Sequence, residues 1–344
     1  MISYILEKPE TINAVKTELP IPSENEVLIR VKYVGICGSD IHLFRGTYNA
    51  PHSYPLCLGH EWSGIVEAVG KNVTKVTIGD WVTGDCSKYC GVCPMCAKDK
   101  NLCSHIEKFG ITIDGATSEY ITRDEKYIYK APEGLDLKHL CLSEPVAVAA
   151  HLVEKIRKNV PEGFADKHVL VLGGGVIGMS ALMLMIHMEG CAQAELYDLS
   201  EYRTKIAKSE GARIPTEEDM NPGEGSGDYA SMYAAAKYDV VIETTGVPSV
   251  FANAFNLVKP GGILGCVGMS AKAEIPQKLI VTKALTIVGS IGGTGDFPRA
   301  MEFLKRHPNS AAKLASHYLP MAQAPEAFAL ARNAAVSMKV VLEV

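Results

Sequence analysis

No stretch of this chain approaches the ~20 consecutive apolar residues that a membrane-crossing helix needs, so a helical membrane protein is excluded. Basic residues are not in excess either: 34 Lys and Arg stand against 39 Asp and Glu, a formal net charge of −5. Without a basic face there is little to neutralise phosphates, and nucleic acid is not an expected partner. The opening residues, Met1-Ile2-Ser3-Tyr4-Ile5-Leu6-Glu7-Lys8-Pro9, lack the basic start and long apolar core of a secretory signal. The expected location is therefore the cytoplasm. In that reducing compartment the ten cysteines are expected as metal ligands or buried thiols, not disulfides. Internal repeats and low-complexity tracts are also absent.

What is present is a soluble globular composition, 47% apolar and 21% charged. At 344 residues the chain is too long for one ordinary core and suggests two domains. Up to about residue 85 the pattern is of short strands: Val27–Val34, Gly64–Gly70 and Val76–Val82, punctuated by Gly and Pro. That predicts a β-rich, barrel-like domain.

Within it, Gly59-His60-Glu61-Trp62-Ser63-Gly64 and Cys37 bring together the three residue types that hold zinc through nitrogen, oxygen and sulfur. Three such ligands and one open position make a catalytic site. Adjacent His60 and Glu61 are expected at a turn, because side chains alternate faces along a strand, with Gly59 and Gly64 loosening the backbone. The competing reading is a buried His and Glu beside an ordinary hairpin. Ser39 and His42 follow Cys37 by two and five residues, close enough to share a pocket if a helical turn begins there. Ser39 could then meet the alcohol oxygen and His42 pass protons to solvent, since a free imidazole titrates near neutrality. A surface or capping role is the alternative for His42.

Cys90-x2-Cys93-x2-Cys96-x6-Cys103 is the sharpest local signal, four thiols spaced for a closed tetrahedral zinc cage. An iron–sulfur cluster uses the same number of cysteines, but the exposed-looking Lys98-Asp99-Lys100-Asn101 segment suits structural zinc better. Cys86, just upstream, reads as a decoy beside that ladder. Glu144 opens a helical stretch after Leu140-Cys141-Leu142; it could enter a pocket or simply stabilise a helix N-terminus.

Val169–Leu172 is a continuous apolar run, as in a strand covered on both faces. Gly173-Gly174-Gly175-Val176-Ile177-Gly178 follows, then a helical stretch Met179–Met188: G-x-G-x-x-G in its strand, turn and helix context. The glycines let the backbone approach a pyrophosphate, which the helix N-terminus stabilises. A second strand, Ala194–Asp198, ends on an acid twenty residues beyond Gly178, where a carboxylate grips adenosine ribose hydroxyls. A 2′-phosphate would meet Asp198 as a like charge, so NAD rather than NADP is expected. Arg203 could be read as a phosphate partner, but Leu199 and Ser200 follow the acid directly, which places Arg203 beside the adenine. Strands at 238–243, 262–268 and 285–289, with a helix at 249–258, predict a doubly wound parallel sheet. Residues 220–227 read as a polar loop. The tail has helical stretches at 300–306 and 324–335 and a closing strand Lys339–Leu342, expected to rejoin the first domain.

Over essentially its whole length the chain resembles the zinc-dependent medium-chain alcohol dehydrogenases, most of all their polyol (sorbitol-type) branch. Cys37-Gly38-Ser39-Asp40, Gly59-His60-Glu61, the four-cysteine lobe, Glu144-Pro145 and the glycine turn carry the match. The resemblance implies α/β architecture: a GroES-like catalytic domain over 1–147 with a zinc lobe at 86–104, a Rossmann domain over 148–290, and a return to the catalytic domain over 291–344, with the active site in the cleft. It implies two zinc ions per chain, a catalytic one on Cys37, His60 and Glu61, with Glu144 binding in some states or orienting water, and a structural one on Cys90, Cys93, Cys96 and Cys103. It also implies a Ser39–His42 proton relay. Thr245, Val267 and Ile291 complete the residues expected at the cofactor, with Gly173, Gly175, Val176, Ile177, Gly178, Asp198 and Arg203. The expected substrate is a small polar alcohol, and the expected assembly a homodimer or homotetramer. Ser290-Ile291-Gly292-Gly293-Thr294 departs from the branch, lying where an arginine and an aromatic usually face the polyol. That favours a bulkier or cyclic polyol, an amino sugar or a sugar phosphate over sorbitol. A non-catalytic NAD- and zinc-binding sensor on the same scaffold is the alternative.

Overall fold

The structure, a computed structural model, describes residues 1–221, 230, 233 and 236–344. The chain divides into two compact units, Met1–Ala147 with Gly292–Val344, and Val148–Ile291.

The first unit is built on the strand Glu26–Gly35, whose Val27, Ile29, Val31 and Val34 are fully buried. Along one edge it pairs antiparallel with Glu61–Val69, in register from Val27 opposite Val69 to Gly35 opposite Glu61. Its other edge is shared, Tyr120–Asp124 pairing with the first half and Lys339–Glu343 with the last residues. Trp81–Gly84, Ile128–Lys130 and Ala315–Pro320 complete a seven-stranded sheet. A three-stranded sheet, Thr11–Lys16, Ile2–Lys8 and Leu56–Cys57, lies apart from it. Leu6, Ile29, Trp62, Val66, Phe328 and Val340 belong to one core. The register places Cys37, two residues past the end of the central strand, beside Glu61 at the start of its partner.

Two expectations are corrected here. Gly64 is not part of a turn: it lies inside the strand Glu61–Val69, where a Cβ would come 2.5 Å from the Arg30 carbonyl oxygen. Close strand approach, not turn geometry, requires that glycine. Residues 76–80 are not strand. The Thr77 N–H donates to the Asp80 carboxylate at 2.8 Å, closing a side-chain turn that leaves Ile78 exposed, and pairing begins only at Trp81. The tail also holds a helix Pro308–Leu314 and the strand Ala315–Pro320, which the apolar pattern did not reveal.

The second unit is a five-stranded, all-parallel sheet in the order Gln193–Tyr197, His168–Leu172, Tyr238–Glu243, Val258–Cys266, Thr286–Gly289. Val169, Leu170, Val171 and Leu172 are completely buried, which explains the unbroken apolar run. An isolated parallel bridge between Glu195 and Arg213 stands where a third strand completes the 3-2-1-4-5-6 order of a Rossmann sheet. The helices Val176–His187, Glu201–Ser209 and Pro248–Leu257 connect its strands. The first of these starts at Val176, three residues before the expected Met179, because the glycine turn runs directly into it with Gly175 as its cap. Met220, read as loop, closes the short helix Glu217–Met220 and is buried. Residues 222–227 of that predicted loop lie outside the described residues.

Candidate metal and nucleotide sites

The helix Gly38–Phe44 begins immediately after the central strand, with Cys37 as its cap. The Asp40 carboxylate accepts the Cys37 N–H at 2.8 Å and the Gly59 N–H at 3.3 Å, and stands 3.7 Å from His60 Nδ1. One buried acid thus ties the Cys37 and His60 loops together. Gly59 has φ of +85°, a left-handed conformation that turns the chain before His60. Cys37, His60 and Glu61 offer ligand atoms all within 4.8 Å of one another.

Glu61 is 1% exposed and opposes Gly35, where a Cβ would lie 2.4 Å from Glu61 Oε2. The missing Gly35 side chain makes room for the carboxylate. Lys339, equally buried, donates from Nζ to Glu61 Oε1 at 2.7 Å and to the Ile36 carbonyl at 2.9 Å. Burial works against the Lys339 charge, but Glu61 and Cys37 outweigh it and hold the ammonium protonated. Glu144, in the first turn of the helix Ser143–Arg157, is buried within 4.8 Å of His60. Burial, with Glu61 nearby, pushes its carboxyl up to about 7. For His60, burial opposes protonation, but Cys86, Asp40 and Cys37 overcome it and raise the imidazole well above its usual range. A nitrogen surrounded by anionic donors is a place where a cation fits. Two buried polar atoms here, Ser39 Oγ and His60 Nδ1, have no hydrogen-bond partner, which a bound substrate and metal would supply, whereas both Glu61 oxygens lie 2.7 Å from Lys339 Nζ. His42, three residues along the same helix from Ser39, is exposed and its Nδ1 meets Thr47 Oγ1 at 3.0 Å.

In the cysteine lobe, Sγ–Sγ distances are 3.5 Å for Cys93–Cys96 and 3.9 Å for Cys90–Cys96 and Cys93–Cys103. Zinc–sulfur bonds near 2.3 Å require tetrahedral edges of about 3.8 Å, so a single ion fits between these sulfurs. N–H groups of Cys90, Cys93 and His105 point at the sulfurs of Cys103, Cys90 and Cys103. Backbone N–H groups pull the Cys93 thiol down to about 5, whereas burial and the neighbouring thiols push Cys96 up to about 12. Four such groups hold together as thiolates only around a cation. Tyr89, Phe109 and Tyr127 pack around them.

In the second unit, Gly173 has φ of +97°, and a Cβ on Gly178 would fall 1.9 Å from the Gly173 carbonyl oxygen. Thr244 Oγ1 donates to the Leu172 and Gly173 carbonyls and pins the turn. The helix Val176–His187 has no side-chain cap at Gly175, leaving its first N–H groups for an anion. Asp198 follows the strand Gln193–Tyr197 and accepts N–H groups from Gly174 at 2.6 Å and Ser200 at 2.7 Å, with Arg203 Nη1 3.6 Å away. Thr245, Val267 and Ile291 each follow the C-terminal end of a parallel strand, the end at which such sheets bind ligands.

Comparison with known proteins places this geometry. Residues 23–133 match the alcohol dehydrogenase GroES-like domain and residues 176–306 the zinc-binding dehydrogenase domain. A sorbitol dehydrogenase of Halalkalibacterium halodurans is 30% identical, covering 94% of this chain and 91% of its own. The chain belongs to the zinc-dependent medium-chain alcohol dehydrogenases. Among solved structures, the E. coli CFT073 alcohol dehydrogenase rspB, complexed with NADH, superposes on the dehydrogenase with a TM-score of 0.89 at 27% identity, covering 100% and 99% of the two chains. A zinc-binding dehydrogenase of Sinorhizobium meliloti bound to NADP gives 0.85 at 28% identity, with the same coverage.

Four residues of the dehydrogenase's sites escaped the sequence reading. Asp40 and Lys339 hold His60 and Glu61 in place; Lys339 is 278 residues from its partner, and no local pattern announces it. Glu243 accepts N–H groups from Thr245 at 2.7 Å and Gly246 at 3.1 Å, and also the Thr245 hydroxyl, so it shapes the loop after its strand. Cys86 is a decoy of the lobe, as expected, but its place within 4.8 Å of His60 and Glu144 went unforeseen. The strand Trp81–Gly84 and the turn after it carry Cys86 toward His60, while Cys90 begins the lobe.

Proposed function

We propose that this dehydrogenase interconverts a secondary alcohol of a polyol, cyclitol, amino sugar or sugar phosphate with the corresponding ketone, using NAD(H). Cys37, His60 and Glu61 would hold the catalytic zinc, with Glu144 beside it, and Cys90, Cys93, Cys96 and Cys103 the structural one. The observation that carries this reading is the convergence of Cys37, His60 and Glu61, from two chain segments, within 4.8 Å of one another, with His60 and Glu61 buried. Bound there, zinc supplies a Lewis acid that lowers the pKa of the substrate hydroxyl, and the nicotinamide accepts the hydride. Ser39 is the buried end of the proton path and His42 its solvent end, on one face of a short helix. Glu61 is shared between its metal role and Lys339, and Asp40 fixes the spacing of Cys37 and His60.

Several observations bear on the substrate. The sorbitol dehydrogenase relative supports a polyhydroxylated alcohol. Gly292 has a local reason as well: its φ is +70°, and a Cβ would lie 2.1 Å from Asn101 Oδ1. Its missing side chain therefore speaks less about substrate size than the sequence alone suggests. For the cofactor, the acid at 198 favours a free 2′-hydroxyl over a 2′-phosphate. Wild-type protein should prefer NAD⁺ in kcat/KM, and Asp198→Ala should erode that preference. Equal use of both cofactors by wild type contradicts it. Among the described residues no helix is long and apolar enough to cross a membrane, and thiols that must stay reduced support a cytoplasmic place of work. A homodimer or homotetramer rests on family resemblance and is read by light scattering. NADH formation against a panel of sugar alcohols, sugar phosphates and cyclitols tests the function. Turnover on at least one, abolished by His60→Ala, is expected; inactivity on all of them, with simple alcohols oxidised instead, overturns the substrate class.

A further inference from the structure

Cys86 is buried, 8% exposed, and the proposed chemistry does not use it. Among the described residues it is the one cysteine besides Cys37 and the four-sulfur lobe that clusters with other metal-binding side chains. Its sulfur, a nitrogen of His60 and an oxygen of Glu144 lie within 4.8 Å of one another. Edges of a zinc tetrahedron are roughly 3.3–3.8 Å, given bonds of about 2.0–2.3 Å, so the three donors lie close to the spacing that one ion would set. The backbone around it is already fixed: the Phe109 N–H donates to the Cys86 carbonyl at 2.9 Å, and the neighbouring Asp85 accepts the Ser87 N–H at 3.0 Å.

The thiol itself is poorly held. Its nearest polar partner is the Phe109 carbonyl at 3.9 Å. Other buried thiols have better ones: Cys141 meets the Lys138 carbonyl at 3.1 Å, Cys191 the Lys167 carbonyl at 3.4 Å, and Cys57 the Ser118 hydroxyl at 3.6 Å. Packing as a small core residue is the plainer account of a buried cysteine, and Cys86 is part of the core of the first unit. That account leaves unexplained why its place in the core falls beside His60 and Glu144. Meanwhile Glu61, the carboxylate of the first ligand set, already shares its charge with Lys339.

We propose that Cys86, with His60 and Glu144, forms a second ligand set for the catalytic zinc, overlapping the first at His60. The ion then keeps three protein donors, one of them a soft thiolate, when Lys339 draws Glu61 away. In moving to this second set the ion gives up its bonds to Cys37 and Glu61, keeps His60 and gains bonds to Cys86 and Glu144, while the Cys86 thiol proton and any proton on the Glu144 carboxyl pass to solvent. The inference rests on the reading of Cys37, His60 and Glu61 as the first set.

Metal content and cobalt spectra of the full-length protein test it, with zinc kept in the cysteine lobe. Cys37→Ser should retain a metal ion at the His60 site, and its cobalt form should keep a thiolate-to-cobalt charge-transfer band. The double variant Cys37→Ser/Cys86→Ser should lose that band completely and bind the ion at least about tenfold more weakly, one soft ligand having gone. Cys86→Ala replaces serine in the pair where serine does not fold. Loss of the metal in Cys37→Ser alone overturns the inference while leaving the first set intact. So does a double variant indistinguishable from Cys37→Ser. A wild-type protein with metal only in the lobe fails the underlying reading as well, and is told apart by its stoichiometry.

Discussion

At the scale of single residues, the site is a set of buried charges that satisfy one another. Glu61 and Lys339 are 1% and 3% exposed, and removing one partner of such a pair strands the other charge in a low dielectric. Lys339→Met should therefore lower unfolding stability by about 3–5 kcal/mol in metal-free protein. Added zinc should restore part of it, because a bound cation can take over the Glu61 charge. Denaturant unfolding with and without zinc measures both, and an unchanged midpoint would show that the pair is not the constraint described. His42 differs in being exposed. Its replacement by alanine should slow alcohol oxidation near neutral pH by about 10²-fold or less, the low end for a proton-transfer group, and the deficit should shrink as pH rises and solvent base takes over. A deficit constant across pH would assign His42 to packing alone.

At the scale of elements, two turns position everything else. The central strand of the first unit ends where Cys37 begins a helix, and its pairing partner starts at Glu61, so strand register sets the distance between the two proposed metal donors. In the second unit the glycine turn closes so tightly that Gly178 has no room for a methyl group. Gly178→Ala should weaken nucleotide binding by more than tenfold, seen by dinucleotide titration, because the turn must open to admit the side chain. Zinc content should not change; if nucleotide affinity is also unchanged, the turn is not the cradle. Such elements were largely readable in the sequence. A glycine turn between an apolar strand and a helix, and four cysteines in a short ladder, are local patterns with one good physical solution each. Gly64 and residues 76–80 were misread because a glycine inside a strand and a turn closed by Asp80 both depend on neighbours that composition does not display. Cys86 was rightly kept out of the four-cysteine set, but its nearness to His60 was hidden, because strand geometry and not sequence spacing takes it there.

At the scale of the whole molecule, the dehydrogenase combines a metal-binding β unit with a nucleotide-binding parallel sheet. The fold class and the family followed from the joint order of motifs. What the sequence withheld is everything created by long-range pairing, Lys339 with Glu61 above all, and the shape of the substrate pocket. A catalytic zinc separate from the lobe should depend on His60, the one residue common to both ligand sets. Metal analysis of wild type and His60→Ala, purified alike without chelator, tests it most directly. Two zinc ions per chain should fall to one in the variant, with the lobe still loaded and the protein still folded. A folded His60→Ala protein that keeps both ions, or a wild type that never holds the second, would contradict it.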